Sequence, residues 1–100
     1  MLIVAGRIQI RPERRAAAVA AAVKMAQATE REAGCRSYRF SSDLDDPNLF
    51  FLFEEWEDEA ALTAHFQTPH MAEFNAVVPQ FVAGPPSIHR YEVGAVVKMM

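Results

Sequence analysis

Glu54 and Trp56 stand two residues apart, a spacing that on a β-strand places a carboxyl group and an indole on one wall. His65 follows in a run of helix formers, where Leu62, His65 and Phe66 recur at i, i+3 and i+4 and turn the imidazole toward the core. A carboxylate beside an imidazole orients it and poises it to act as a general base near neutral pH. His65 and Glu54 are therefore the catalytic candidates, with Trp56, Leu62 and Phe74 as walls of a substrate pocket. Each has a structural alternative: His65 as a packing or capping residue, Trp56 as plain core, and Glu54 as a cross-strand ion-pair partner of Arg39 or Arg7.

The other reactive residues point less far. His70 sits just inside a helix start and reads as an N-terminal structural residue, while His89 lies on the last strand with no partner in sequence. His65 and His70 are separated by the Thr68-Pro69 break and no cysteine pair supports them, so no metal site is expected. Cys35 is the only cysteine, which excludes an internal disulfide and suits a reducing compartment; only Arg36 beside it would favour a reactive thiolate. Asp43, Asp45 and Asp46 lack the glycine and the distal glutamate of a dedicated calcium loop, and read as a solvated turn.

Charge is asymmetric along the chain. Residues 1–42 carry eight Lys/Arg against three Asp/Glu, and residues 43–100 two against ten. With a net charge of -3 and a pI near 5.5, the acidic half would repel a phosphate backbone, so nucleic acid is not an expected partner. No apolar run approaches the roughly 20 residues of a membrane span, and Met1–Gly6 lacks a basic head and a cleavage site. A cytoplasmic protein with no membrane partner is expected.

These residues need elements to hold them. Leu2–Gln9 reads as a strand ended by a helix that opens at Pro12 and runs to about Ala33, with Ala16, Val19, Ala20, Val23 and Ala26 or Gln27 as its apolar face and Gly34 as its stop. Cys35–Ser42 alternates, with Arg36, Tyr38 and Phe40 on one face and Cys35, Ser37, Arg39 and Ser41 on the other; the turn Asp43–Asn48 joins it to a strand Leu49–Glu57. Asp58 caps a short helix, and Thr68-Pro69 opens another whose face is Met71, Phe74, Val77 or Val78, and Phe81, with Pro79 ending or kinking it. Gly84-Pro85-Pro86 stops the helix, Ser87–Val93 is the last strand, and Gly94–Met100 is a tail.

With 100 residues the chain is expected to be one domain. The order strand, helix, strand, strand, two helices, strand predicts an α+β, ferredoxin-like βαββαβ unit with an antiparallel sheet. Its helices can cover only one sheet face, yet Leu49-Phe50-Phe51-Leu52-Phe53 is apolar on both. A second copy packed sheet to sheet through a two-fold contact would cover the other, which predicts a homodimer.

Gly34-Cys35, Tyr38-Arg39-Phe40, the turn Asp43–Pro47, Phe53-Glu54-Glu55-Trp56-Glu57-Asp58-Glu59-Ala60-Ala61-Leu62, Ala64-His65-Phe66, Thr68-Pro69-His70-Met71, Gly84-Pro85-Pro86 and Tyr91-Glu92 together resemble the antibiotic biosynthesis monooxygenase family, in particular its quinol-monooxygenase-like branch. The resemblance implies a dimeric α+β barrel and a cofactor-free oxidation of a small phenolic or quinol substrate by O₂, with no cofactor required. It places Asn75 near the position of the haem-ligating histidine of haem-cleaving relatives, which makes Asn75 a further substrate-binding candidate and, with no asparagine on the first strand, argues against haem cleavage. A shared fold also hosts non-catalytic modules that bind an aromatic ligand or assemble with a partner. That reading predicts a filled interior, with Phe74, Leu62, Trp56 and Met71 closed over His65.

Overall fold

A computed structural model describes residues 1–100. The elements follow the expected order: β1 (Leu2–Gln9), α1 (Arg15–Thr29), β2 (Cys35–Ser42), β3 (Leu49–Trp56), α2 (Glu59–His65), α3 (Pro69–Val77) and β4 (Ser87–Glu92). Every pairing is antiparallel and the strand order is β2-β3-β1-β4, which is the ferredoxin-like α+β sheet.

Local sequence explains the boundaries. Pro12 begins a 3-10 turn, Pro12–Arg14, that leads into α1. The Asp58 carboxylate accepts from Ala61 N–H at 2.9 Å and caps α2, and Thr68 Oγ1 accepts from Met71 N–H at 3.3 Å to cap α3. Pro79 falls in a second 3-10 turn, Val78–Gln80, where α3 ends. Gly34 adopts φ +81°, and a Cβ there would stand 2.5 Å from Ala61 Cβ, so only glycine lets α2 dock over the turn into β2. In the Asp43 turn, Asp43 Oδ2 accepts from the backbone N–H groups of Asp45 and Asp46, as a solvated Asx turn does.

Two apolar clusters fill the space between helices and sheet. Leu2, Met25, Tyr38, Leu52, Trp56 and Leu62 pack at one end; Ile8, Ile10, Ala18, Phe50 and Phe81 pack at the other. The buried face of α1 is Ala18, Ala22, Met25 and Thr29, which corrects the expected face: Ala16, Ala20 and Val23 are exposed. Alanine lies on every side of this helix, so its periodicity does not select a face; Met25, the one large side chain inside, does.

β2 departs from simple alternation as well. A bulge between Cys35 and Ser37 sets Cys35 opposite Trp56, so Cys35 packs on the helix side, and Arg36 is displaced outward, its guanidinium 3.4 Å from Met1 Sδ. On the opposite sheet face, Phe51 and Phe53 are 37% and 42% exposed in the single chain, beside Ile3 and Tyr91. The tail after β4 is exposed, with Val96, Val97, Met99 and Met100 uncovered.

Candidate functional site

The alternation of β3 delivers Glu54 and Trp56 to the helix-covered face, as their spacing predicts. Val4 of β1 and Tyr38 of β2 flank Glu54 in the ladder. Arg7 and Arg39 pair with Phe51 and Phe53 in the ladder, out of register with Glu54; from edge strand β2 the Arg39 side chain turns to Glu30 at 3.5 Å, and neither arginine meets Glu54. Glu54 Oε1 instead accepts from Trp56 Nε1–H at 2.8 Å. Burial pushes the Glu54 carboxyl up to about 7; the Trp56 N–H offsets part of this, and the negative charge of Glu32 adds to it.

His65 is 1% exposed, at the last position of α2. Its ring centroid lies 4.8 Å from that of Trp56 and 5.6 Å from that of Tyr38. The expected partner was Glu54; the observed one is Glu32, whose Oε2 is 2.8 Å from His65 Nδ1. The same oxygen is 2.7 Å from His70 Nε2. A carboxylate can only accept, so in this arrangement both ring nitrogens carry hydrogen, which leaves Nε2 of His65 as the atom able to take a proton. Thr68 makes the convergence possible. While its oxygen caps α3, its hydroxyl donates to the carbonyl of His65 at 2.7 Å, so the end of α2 and the start of α3 are held at one point.

Leu62 is buried beside Trp56, and Phe74 is half-buried against the same cluster with its ring 5.8 Å from Phe40. Asn75 does not join them. It is exposed on the outer side of α3, one position past the inward stripe. Phe66, expected on the inner face of α2, is 55% exposed. His89 lies on the open sheet face, its ring 6.5 Å from that of Tyr91. The Cys35 thiol is pushed up to about 11, first by burial and then by Glu32, Glu54 and Glu30, so it stays protonated and is no nucleophile. Burial, and then Glu54, likewise raise Tyr38 far above the usual phenol range. Glu32 and Tyr38 are the site residues that sequence reasoning missed.

Three spaces lie beside this constellation. A groove of about 390 Å³ runs between α1 and β2, lined by Val19, Val23, Phe40 and Phe50 with Arg15 and Arg39 among its polar residues. A void of about 40 Å³ lies between α1 and α3, lined by Met25, His70 and Phe74. A third, of about 10 Å³, is wholly apolar. None of the three is lined by Glu54, Trp56 or His65.

The family model described as antibiotic biosynthesis monooxygenase matches residues 1–77. The chain belongs to that family. Among its relatives, the "Uncharacterized protein sll1783" of Synechocystis sp. is 36% identical over 92 residues, which are 92% of this chain but 63% of that protein's own length. The "Probable quinol monooxygenase YgiN" of Escherichia coli is 32% identical over 88 residues, covering 78% of this chain and 85% of that protein. A crystal structure titled as a "putative antibiotic biosynthesis monooxygenase" from Deinococcus radiodurans superposes with a TM-score of 0.92 at 29% identity, over 100% of this chain and 99% of that one. The fold is thus that of the family, and a general monooxygenase-like role goes with it. No helix is long and apolar enough to cross a membrane.

Proposed function

We propose that this protein is a cofactor-independent monooxygenase that oxidises a small phenolic or quinol substrate with O₂, working as a cytoplasmic homodimer. The observation that carries the reading is the buried row of Glu54, Trp56 and His65: an indole held at 2.8 Å by a buried carboxyl, lying 4.8 Å from an imidazole that Glu32 fixes in turn. Titratable groups kept inside an apolar core cost stability, and they concentrate where chemistry needs them. Homology to a protein named as a quinol monooxygenase supports the substrate class.

In this mechanism the substrate enters by the α1–β2 groove, whose volume falls in the roughly 300–1,000 Å³ range of small-molecule sites. Phe40 lines that groove and touches Tyr38 and Phe74, so it is the wall that must yield for an aromatic ring to reach Trp56. Leu62 and Phe74 then line the pocket. His65, positioned by Glu32, takes the phenolic proton. The phenolate gives one electron to O₂, and the radical pair joins as a hydroperoxide on a ring carbon bearing hydrogen. Loss of water leaves a carbonyl, so one oxygen atom enters the product and the other leaves as water, with the substrate supplying every electron. The protonated His65 gives its proton to the nascent peroxide, and the carboxyl of Glu54, held near 7, protonates the departing hydroxide and then, as carboxylate, takes the ring C–H proton, so both groups end as they began. The open sheet face, with Phe51 and Phe53, is where the second copy would pack.

The closure of the interior over His65 favours a second reading, a non-catalytic dimeric module that binds a small aromatic ligand. O₂ uptake by chelator-treated protein with a menadiol-type quinol or an anthrone separates the two. Protein-dependent uptake that falls in His65→Ala and Trp56→Phe supports catalysis. No uptake, together with ligand-induced thermal stabilisation, supports the module.

A further inference from the structure

The triangle of Glu32, His65 and His70 exceeds what orienting one imidazole requires, since a single hydrogen bond would do that. His65 arrives from the end of α2, His70 from the first turn of α3, and Glu32 from the turn between α1 and β2. Nδ1 of His65, Nε2 of His70 and a carboxylate oxygen of Glu32 all lie within 4.8 Å of one another. Both ring nitrogens are aimed at that oxygen, so their lone-pair axes converge once the protons leave.

We propose that these three residues form a transition-metal site with two imidazoles and one carboxylate. A cation about 2.1 Å from each nitrogen would replace the protons now shared with Glu32, and the carboxylate need only draw back slightly to remain a ligand. The backbone of Glu32 is held in the turn by hydrogen bonds to Thr29 and Cys35, so that small shift falls to its side-chain torsions. Two imidazoles with one carboxylate suit Zn²⁺, Co²⁺ or Fe²⁺ rather than Ca²⁺ or Mg²⁺. Three protein ligands leave a position free for water or a substrate oxygen. The approach is from the side of Glu32 and His70, whose side chains are 14% and 22% exposed, while His65 closes the inner end. Occupancy would take Nδ1 of His65 from Glu32 and couple the metal directly to the ring that packs against Trp56.

The test reads binding and not turnover. Chelator-treated full-length protein is titrated with Co²⁺ and followed by visible absorption, then with Zn²⁺ by calorimetry and thermal unfolding. The expected result is saturation at one equivalent per chain, intense Co²⁺ bands of a low-coordinate site, and a raised unfolding midpoint with Zn²⁺. Loss of a supporting partner alone weakens metal sites by roughly 10- to 100-fold, so His70→Ala and Glu32→Gln are each expected to weaken Zn²⁺ by more than about 100-fold. His89→Ala, on the far sheet face, is expected to bind as the parent does. Absence of saturable binding, or His70→Ala binding like the parent, overturns the proposal. Because His70 is half-buried and outside both apolar clusters, its variant stays interpretable if Glu32→Gln or a His65 variant unfolds. Failure here leaves the O₂-uptake test of the metal-free protein untouched.

Discussion

The two ends of the core are made of different materials. The end around Ile8, Ile10, Ala18, Phe50 and Phe81 is apolar throughout. The end around Trp56 contains Glu54 and His65, and Thr29 lies one helical turn beyond Met25 with its hydroxyl buried and unpartnered. Apolar burial is favourable by about 25 cal/mol per Å², whereas a buried polar group costs free energy unless fully satisfied. The first end therefore holds the fold together, and the second spends stability on groups that can exchange protons.

The largest expected effect tests the apolar end. Phe81→Ala should lower the unfolding free energy by about 3–5 kcal/mol in urea titration, the range for truncating a buried aromatic. A loss under about 1 kcal/mol would mean that this end is not what supports the sheet.

The polar end should respond to pH instead. Glu54 is raised from 4.5 to about 7 in the folded chain, so its proton stabilises the fold fully below pH 4.5 and that contribution is lost as pH rises through 7. Between pH 4.5 and about pH 8 the parent should lose on the order of 2–3 kcal/mol relative to Glu54→Gln, whose side chain does not titrate. Parallel urea curves at the two pH values for both proteins would remove Glu54 from the account. Next in size, Glu32→Ala leaves the buried His65 without its partner and should cost about 1–3 kcal/mol, while Glu32→Gln, which keeps an acceptor, should cost less.

The same contrast explains what could be read from the chain. Strand order, the caps at Asp58 and Thr68, and the shared wall of Glu54 and Trp56 are local, because period-2 alternation and capping chemistry act over a few residues. The partner of His65 is not local. Glu32 lies 33 residues away in a turn, and only the docking of α2 over Gly34 brings the two together. The α1 face and the Cys35 bulge were illegible for a related reason: alanine-rich periodicity has no preferred side, and a one-residue bulge leaves no mark in an alternating pattern. Asn75 was assigned through family register, and a single position on a helix turns a side chain by about 100°.

The smallest effect concerns how the polar end is closed. Lys24 Nζ and Glu73 Oε1 meet at 2.6 Å between α1 and α3, beside the void lined by Met25, His70 and Phe74. α3 has no fully buried residue, so this ion pair could be mistaken for the latch that keeps it seated. Its side chains are 69% and 58% exposed, however, and a pair so open to water loses most of its attraction to solvent and to side-chain entropy. Lys24→Ala should therefore cost only about 0–1 kcal/mol, and in about 1 M salt the difference from the parent should vanish. A larger cost that survives salt would place the hold on α3 at the surface. The half-buried Met71 and Phe74 would then not be what keeps His65 covered, and the contrast between the two ends would have to be redrawn around charge.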